Sequence, residues 1–476
     1  MTATIENSDP KAKAKWQKTR QKIKGENKGY YVLNKLSYYD PKTKNTKYLK
    51  SHIIGWVPSL DTPFEEMVPT KPKTKKEPAT QVKEKLEQVP DQRAQHMIVY
   101  PLSYVLLVIL LATLAGFTSC VQIAAYWKAN RKKLTAYFPD FPKEDISHDT
   151  VRRLIVMIGP DSAKELIDRL TKPLVSEATN RLISVDGQAV RASRDENNRS
   201  PYILNVRDTT NCLTLTQKLI GAKENEITHA SELIKTLEIR DAVVIADALN
   251  TQKDFAKEII LGHADYILAL KSNHPTLFEY VKGLFEMNAK PMLGNSPQVE
   301  LGHGRIETRS IRVLPASKLP RTLLKPWLGL DEGCLIQVRK EVENKKTSAH
   351  SVEFRYYISS LLYEPYNKEK QATLLQTLAT YIRQHWTIEN NTHWVLDVVF
   401  NQDRLQSINP EYLQGRTALT KIGLSFLEKY REILRKNKKE MSITTLKVMM
   451  SNIDNAIACL ENIYATGASK NQIVDA

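Results

Sequence analysis

The stretch RLISVDGQAV, residues 181–190, begins the pattern that decides the fold. It has the composition of an apolar strand ending in Asp-Gly, and two more strand-like runs follow it, YILNVRD (202–208) and CLTLTQKLI (212–220). Helix-like segments then alternate with the strand-like runs DAVVIADALN (241–250) and ADYILALK (264–271). Three early strands followed by alternating helices and strands predict an α/β domain with a mixed sheet covered by helices.

A later block of the chain is again rich in strand-like runs. These runs are RSIRVLP (309–315), CLIQVRKEV (334–342) and SVEFRYYISSL (351–361). The chain then continues in segments with helical periodicity. We therefore expect one domain over residues 179–430, with a β-rich insertion at about 295–370, and a helical tail over residues 431–476.

Residues 1–95 form a separate basic segment. The run GYYVLNKLSYYDPKTKNTKYLKSHIIGW (29–56) has aromatic and β-branched residues on both sides of a turn-forming centre, which predicts a small hairpin. The run VPTKPKTKKEPATQVKEK (68–85) mixes proline with lysine and predicts a flexible linker. The lysines here fit either a solvated basic tail or an arm that contacts DNA.

Residues 96–178 are predicted to form a helical DNA-binding or accessory subdomain. The apolar run SYVLLVILLATLAGF (103–117) carries no charged residue, but it is shorter than the ~20 residues that a membrane span needs. We interpret it as a buried helix, with a membrane anchor over residues 99–127 as the alternative.

A further helix is predicted over ISHDTVRRLIVMIGPDSAKELIDRL (146–170), with a Ser or Asp cap and a break at Gly-Pro. Its paired arginines, Arg152 and Arg153, fit a DNA-reading helix or ordinary helix packing, and the spacing does not decide between them.

The composition narrows the possible partners. The 476 residues include 69 Lys and Arg against 53 Asp and Glu, a net charge of +16, with a pI near 9.4. A cationic surface suits a polyanion, because neutralising phosphates releases condensed counterions, and it also suits an anionic membrane surface. The four cysteines lack C-x-x-C spacing, which argues against a zinc ribbon or a disulfide framework and fits a reducing compartment. The first residues show no apolar segment of a secretory signal.

Two predicted strands end in an aspartate, Asp186 in LISVDG and Asp247 in VVIADA. Catalytic groups in open α/β sheets gather at the carboxyl ends of strands. A buried carboxylate needs a hydrogen bond, a cation or a metal ion. Either aspartate alone is better explained as the cap of a turn, but two such strand ends in one unit favour a shared site.

The stretch RQHWTIENNTHWVLDVVF (383–400) supplies a third acid. On a continuous α-helix each four-residue step turns ~40°, so His385, Glu389 and His393 share a face, while Asp397 lies ~120° away from His385. Glu389 beside two strand-borne aspartates gives an oxygen-only pocket, which selects Mg²⁺ or Mn²⁺. Two such ions ~4 Å apart can support an in-line displacement at phosphorus.

Other interpretations of this stretch stay open. His385, Glu389 and His393 could bind zinc, although the spacing is not H-E-x-x-H and leaves both aspartates unexplained. The histidines also fit packing or hydrogen-bonding roles on a helix. Trp386 and Trp394 fit core positions, or a surface on which a nucleic-acid base stacks.

Several motifs together resemble bacterial insertion-sequence transposases of the subgroup that contains the H-repeat-associated proteins. They are LISVDGQAVRAS (182–193), VVIADALNTQKDFAKEIILGHADYILALKSNHPTL (243–277), GHGRIETR (302–309), YYISSL (356–361) and RQHWTIENNTHWVLDVVFNQD (383–403). The resemblance runs in order from about residue 96 to about 430. It implies an RNase H-like mixed sheet flanked by helices, with a β-rich insertion, an N-terminal helical subdomain and a helical C-terminus.

The resemblance implies that Asp186, Asp247 and Glu389 are the catalytic DDE triad and the ligands of Mg²⁺ or Mn²⁺, with two ions. The implied activity is cleavage of transposon ends by water and transfer of the freed 3′-hydroxyl into target DNA. Implied partners are the double-stranded terminal repeats, target DNA and a second copy of the chain, in the bacterial cytoplasm at the nucleoid. Residues in the matching motifs are implied to contact DNA: Lys271, Asn273, His303, Arg305, Arg309, Arg383, His385, Trp386, Asn390 and His393.

The chain departs from the family pattern at three single positions and in the run ADALNTQ (246–252), which replaces a more usual run with Asp-Ala-Met-Gly. Gln188 stands where lysine is usual, Ala192 where glycine is usual, and Gln402 where an acid is common. None of these removes a triad carboxylate. They leave open a second interpretation, a catalytically decayed or repurposed DNA-binding protein of transposase origin.

Overall fold

The computed structural model divides the chain into two units, residues 1–77 and 78–476. The residues it describes are 15–22, 30–40, 45–57, 63, 68–69, 78–175, 180–220, 226–287, 293–295, 297–302, 305–345, 347, 349–388 and 392–468.

The first unit is an antiparallel sheet with strands in the order β1-β2-β3-β4. These strands are β1 (Lys15–Lys22), β2 (Tyr30–Asp40), β3 (Asn45–Val57) and β4 (Val68–Pro69). The hairpin expected over residues 29–56 is the β2–β3 pair, but β1 and β4 extend it on both sides. The centre of its turn lies outside the described residues.

The second unit is built around one ten-stranded sheet. Its strands are β5 (Leu182–Ala189), β6 (Tyr202–Asp208), β7 (Leu213–Ile220), β8 (Val243–Ala246), β9 (Asp265–Leu270), β10 (Leu293–Gly294), β11 (Gln298–Gly302), β12 (Arg305–Pro315), β13 (Cys334–Asn344) and β14 (His350–Ser359). Strands β5, β8 and β9 are parallel, while β6 and β7 run antiparallel beside β5. The order β7-β6-β5-β8-β9 is that of the RNase H-like fold, so the predicted fold class is confirmed.

The β-rich insertion is continuous with this sheet. Strand β14 pairs antiparallel with β9, and β13, β12 and β10 follow it outward, with β11 against β12. The insertion therefore enlarges the central sheet and does not form a sheet of its own.

Helices cover both faces of the sheet. They are α1 (Pro78–Glu87), α2 (Leu102–Leu114), α3 (Cys120–Tyr137), α4 (His148–Thr171), α5 (Glu226–Lys235), α6 (Lys253–Leu261), α7 (Pro275–Met287), α8 (Arg321–Leu324), α9 (Lys368–Ile388), α10 (Pro410–Lys436), α11 (Ile443–Met449) and α12 (Ile453–Ala468). Helices α5, α6 and α7 pack on one face, and α9 packs on the other. Helix α10 contacts β7 and connects the sheet to the remaining helices.

The apolar run of residues 103–117 forms α2, in which every residue is buried. Helices α1, α3, α4, α10 and α12 surround it and share its apolar core. In the part of the chain that the structure describes, no helix is long and apolar enough to cross a membrane.

Two expected boundaries differ from the structure. The predicted linker over residues 68–85 contains the start of α1, whose Val82 and Leu86 are fully buried against α2. The predicted tail after residue 430 is part of the helical core, because α10 runs on to Lys436 and α12 buries Leu460 in the same core. The sequence of α1 predicts a linker because lysines alternate in it and its few apolar residues form only a narrow face.

The predicted Gly-Pro break is present within α4. Ser147 caps the helix by accepting a hydrogen bond from the backbone N–H of Thr150 at 3.1 Å. Gly159 has a φ of 56°, which glycine adopts without steric cost, and Pro160 restarts the helix after it. The kink separates the segment that carries Arg152 from the segment that packs beside β7.

Candidate active site

Asp186 and Asp247 occupy neighbouring positions on adjacent parallel strands. Strands β5 and β8 pair up to Val185 opposite Ala246, so the next residues along each strand are the two aspartates. Adjacent strands lie about 4.8 Å apart, and paired residues of parallel strands point to the same face. The two predicted acids are therefore brought together by strand register.

Helix α9 covers the face on which the aspartates lie. Leu182 and Val243, four positions before them, have the same orientation and pack with Leu378 and Ile382 of α9. Helix α9 ends at Ile388. Glu389 is the next residue in the sequence, and it lies outside the described residues together with Asn390 and His303.

Local hydrogen bonds orient both carboxylates. Oδ1 of Asp186 accepts from the backbone N–H of Gly187 at 2.8 Å. Oδ1 of Asp247 accepts from the backbone N–H and the side-chain amide of Asn250, at 3.2 and 3.0 Å. Gly187 is required because a Cβ there would lie 2.0 Å from the ring of Tyr202. Asp247 therefore caps the turn after β8, as the sequence also suggested, whereas Asp186 lies within β5, which runs on to Ala189 and does not end at the aspartate.

His393 lies beside Asp186, with Nε2 3.4 Å from Oδ2 of the carboxylate. Burial and the nearby Lys421 lower the pKa of His393 to about 4. The imidazole is consequently neutral at pH 7 and approaches the aspartate as a polar, uncharged group.

The donor set suits a hard divalent cation. Carboxylate oxygens are the ligands that Mg²⁺ and Mn²⁺ prefer, and two of them face one point of the sheet edge. Among the described residues, no group of three or more His, Cys, Asp or Glu could hold a metal ion. A complete site therefore needs a further ligand, and Glu389 is the residue that the sequence predicts for it.

The segment after Glu389 does not continue as a regular α-helix. Residues Val395–Val399 form a π-helix, so the 100° per residue used to place Asp397 does not hold there. Oδ1 of Asp397 accepts from Nε2 of Gln188 at 2.5 Å. His393 and Asp397 thus both contact β5, through Asp186 and Gln188 respectively.

Two of the three single-position departures from the family pattern contact each other. Nε2 of Gln402 donates to Oε1 of Gln188 at 3.2 Å. In this chain the two positions therefore form a neutral, hydrogen-bonded pair. Burial and the neighbouring Asp403 raise the pKa of Asp397, the other partner of Gln188, to about 6.

Asn273 joins the loop after β9 to the loop after β8, next to the site. Its Nδ2 donates to the carbonyl of Ala248, the residue after Asp247. Lys271, also predicted to contact DNA, is exposed in the same loop after β9. The loop therefore presents a cation close to Asp247.

Trp386 lies on the insertion side of α9, where cations cover its ring. The guanidinium of Arg355 is 3.7 Å from the ring centroid, with Lys340 at 5.2 Å and Arg309 at 5.7 Å. A base could stack on this face only by replacing Arg355. Trp394 is 53% exposed and is the more accessible of the two tryptophans.

Two of the residues that are predicted to contact DNA form ion pairs with the same carboxylate. Glu300 of β11 pairs with Arg309 at 2.9 Å and with Arg383 at 2.7 Å. Arg305, at the start of β12, is exposed. Arg309 and Arg383 therefore form an ion-pair network with Glu300, and Arg309 also pairs with Glu307.

His385 differs from its predicted role. It is 9% exposed, burial lowers its pKa to about 4, and its Nδ1 has no hydrogen-bond partner. A neutral, buried imidazole does not reach a DNA surface, so the packing alternative describes it better.

A row of buried polar side chains extends from Asp186 across the sheet. The sequence analysis does not predict it. Asn205 lies opposite Asp186 on β6, and Gln217 lies opposite Asn205 on β7. Lys421 of α10 donates to the side-chain oxygens of both, at 2.8 Å for Gln217. A cavity of about 20 Å³ beside Asp186, enough for one water, is lined by this lysine and by Arg207. The only sequence signal was a lysine inside the apolar run TALTKIGLSF.

Lys421 should make stability depend on pH. It is 2% exposed, and burial lowers its pKa to about 7, well below its ordinary value. Between pH 7 and 10 the unfolded chain therefore binds more protons, and stability rises by up to roughly 1.4 kcal/mol per pH unit. In Lys421→Met this rise is lost, so the variant's stability relative to wild type should fall steadily over that range.

Urea unfolding of both proteins at pH 6.5, 8 and 9.5 measures this difference. Lys436→Met, on an exposed part of α10, is the control and should shift stability equally at each pH. A constant difference for Lys421→Met as well would contradict the prediction.

The chain belongs to the transposase DDE domain family. The family's model matches residues 177–422, more than half of the chain, and the DDE_Tnp_1-associated model matches residues 83–169. The resemblance seen in the sequence is therefore confirmed, and the fold and the paired aspartates belong to a DNA transposase.

Similar proteins occur in Escherichia coli. "Putative protein YbfL" of strain K12 is 30% identical over 66% of this chain and 82% of its own length. "Putative transposase YncI" of strain O157:H7 is 28% identical over 80% of this chain and 96% of its own length. "H repeat-associated putative transposase YhhI" of strain K12 is 29% identical over 66% and 82%. Among solved structures, a piggyBac transposase synaptic complex with hairpin DNA covers 83% of this chain and 80% of that chain, with 12% identity and a TM-score of 0.39.

Proposed function

We propose that this transposase cleaves the ends of its own element and transfers them to target DNA, with Asp186, Asp247 and Glu389 holding two Mg²⁺ or Mn²⁺ ions. The observation that carries the proposal is the register of β5 and β8, which places two carboxylates side by side at the sheet edge covered by α9. Bound there, the ions would activate the attacking oxygen and stabilise the leaving one.

The reaction has two displacements at phosphorus. A water oxygen attacks the phosphorus at the element's end, the bond to the 3′-oxygen breaks, and a 3′-hydroxyl is left on the element. That hydroxyl then attacks a phosphorus of the target, whose own 3′-oxygen leaves. No covalent bond to the protein forms.

The surroundings of the aspartates support this chemistry. The hydrogen bonds from Gly187 and Asn250 fix the carboxylates, and His393 approaches Asp186 as a neutral imidazole. We propose that the exposed Lys271 and Arg305, together with Arg309 and Arg383, hold DNA phosphates near the site. For the arginines, phosphates would take the place of Glu300.

The glutamine pair supports an active enzyme over a decayed copy. Random loss of function changes positions independently, whereas Gln188 and Gln402 depart from the family pattern together and bond to each other. The site keeps both described carboxylates and a hydrogen-bonded glutamine pair next to them.

The test uses labelled duplexes that span the inverted repeats flanking the reading frame. With Mg²⁺ or Mn²⁺, the wild-type protein should nick one strand at the repeat end, leave a 3′-hydroxyl, and join that end to a target plasmid. A duplex with a scrambled repeat is the control and should stay uncut. Binding of the repeats without nicking in either metal would instead establish the decayed, DNA-binding copy.

A further inference from the structure

A second polar cleft opens beside the candidate active site. It has a volume of about 410 Å³ and lies between the start of α3, Arg152 of α4, residues 400–407 and α10. Three arginines line it, Arg152, Arg404 and Arg416, and no Asp or Glu does. The cleft is therefore a concentrated positive region of the second unit.

Arg416 is the unusual member of this set. Its side chain is 1% exposed, and it donates only to neutral oxygens, the carbonyl of Thr118 and the hydroxyl of Thr113, at 2.9 to 3.2 Å. Arg207, the other deeply buried arginine of α10's surroundings, is instead paired with Glu428. A buried cation without a compensating charge costs several kcal/mol, so the position calls for an anion from outside the chain.

The other lining groups fit an incoming anion. Arg152 and Arg404 are exposed and form no ion pair with the described residues, and Arg152 lies 5.8 Å from the ring of Tyr412. Asp403, the nearest acid in the sequence, points to Arg191 at 3.5 Å. Planar guanidinium groups match the oxygens of phosphate in pairs.

The cleft is linked directly to the catalytic strand. Gln402 lines it, is 4% exposed, and keeps an unpaired Oε1 there while its Nε2 bonds to Gln188. Gln188 lies two residues beyond Asp186 on the same face of β5, a separation of roughly 7 Å. A group bound in the cleft is thus within a few nucleotides of the scissile position.

We propose that this cleft binds a backbone phosphate of the DNA next to the bond being cut, a proposal that rests on the function proposed above. Arg416 supplies the buried charge at its floor, and Arg152 and Arg404 close on the phosphate from the surface. Arg152 and Arg153 are adjacent in the sequence, but only Arg152 lines the cleft. The proposal therefore predicts different effects on DNA binding for substitutions at these two positions.

The experiment measures binding of a labelled random-sequence 40-base-pair duplex in EDTA across a series of KCl concentrations. Arg152→Gln/Arg404→Gln should lower the slope of log Kd against log salt by about one to two and weaken binding about tenfold at 100 mM salt. Arg153→Gln/Arg240→Gln, the matched control, removes the same number of exposed arginine charges outside the cleft. The proposal requires the double variant to lose more slope than this control does.

Equal slopes for the double variant and the control would overturn the proposal. A cleft that binds only small anions would also overturn the proposal. In that case 10 mM inorganic phosphate would stabilise the wild type, and Arg416→Met would abolish this stabilisation. The double variant would keep the salt slope of the wild type in DNA binding. The two arginines replaced in the double variant are exposed, so this variant should fold and the test remains valid even if Arg416→Met does not fold. Failure of the proposed function is distinguishable, because it shows as absent DNA binding or absent nicking by the wild type itself.

Discussion

Replacing Asp186 or Asp247 by asparagine should lower the rate of end cleavage by on the order of 10³-fold or more, while DNA binding stays within about threefold of wild type. Asparagine has nearly the same volume and keeps an acceptor oxygen, so the hydrogen bonds from Gly187 and Asn250 can persist. The negative charge that holds a divalent cation is lost. Binding of the DNA depends on basic residues elsewhere and should survive.

Single-turnover cleavage of a labelled repeat duplex at saturating enzyme measures the chemical step. Calorimetric titration with Mn²⁺ gives an independent readout, since each variant should bind the ion weakly or not at all. Asp241→Asn is the matched control, because Asp241 is exposed just before β8, at the end of the strand opposite Asp247. Normal cutting by either Asp186→Asn or Asp247→Asn would end the assignment of these residues.

Replacing Glu428 by leucine should destabilise the second unit by about 3–5 kcal/mol. Glu428 of α10 is 6% exposed and forms an ion pair with Arg207 of β6, which is equally buried. The bond to Glu428 comes from Nη2 of Arg207, and Nη1 has no hydrogen-bond partner, so removing the carboxylate leaves an uncompensated cation inside the protein. The loss comes from that stranded charge more than from the bond itself.

The double variant Arg207→Met/Glu428→Leu should recover most of the lost stability, because apolar side chains of similar volume replace the pair without burying a charge. Urea unfolding of all variants gives the coupling energy. Glu432→Gln, one turn along α10 at an exposed ion pair with Lys436, should cost less than about 1 kcal/mol. A double variant as unstable as Glu428→Leu alone would show that the defect is packing and not charge.

The sequence predicted the central sheet because its strands are apolar throughout and are bounded by turn formers. Asp186 and Asp247 could be found for the same reason, since a carboxylate at the end of a buried run is visible in one dimension. The sequence led us to expect that the two aspartates lie side by side, but it does not contain the pairing of their strands. The structure supplies it through the pairing of Val185 with Ala246.

The polar row behind Asp186 could not be predicted from the sequence. Asn205, Gln217 and Lys421 lie far apart along the chain and come together only through strand order and the packing of α10. Local periodicity carries no information on such long-range contacts. The same reason explains why Gln188 and Gln402 were seen as two separate departures.

The position of residues 392–399 was also beyond sequence reasoning. Four-residue spacing of His385, Glu389, His393 and Asp397 suggests one regular helix, whereas residues Val395–Val399 are π-helical. A π-helix is a tertiary adjustment with no clear composition signal. It turns His393 and Asp397 toward the same strand.

The burial of α2 has a consequence for how the protein is made in the cell. Every side chain of this helix is buried, and part of its cover is α12, which the ribosome makes much later than α2. At roughly 5–20 residues per second, α2 waits tens of seconds for that partner. Until α12 is made, part of the apolar surface of α2 is uncovered on the nascent chain, and such exposed surface favours aggregation.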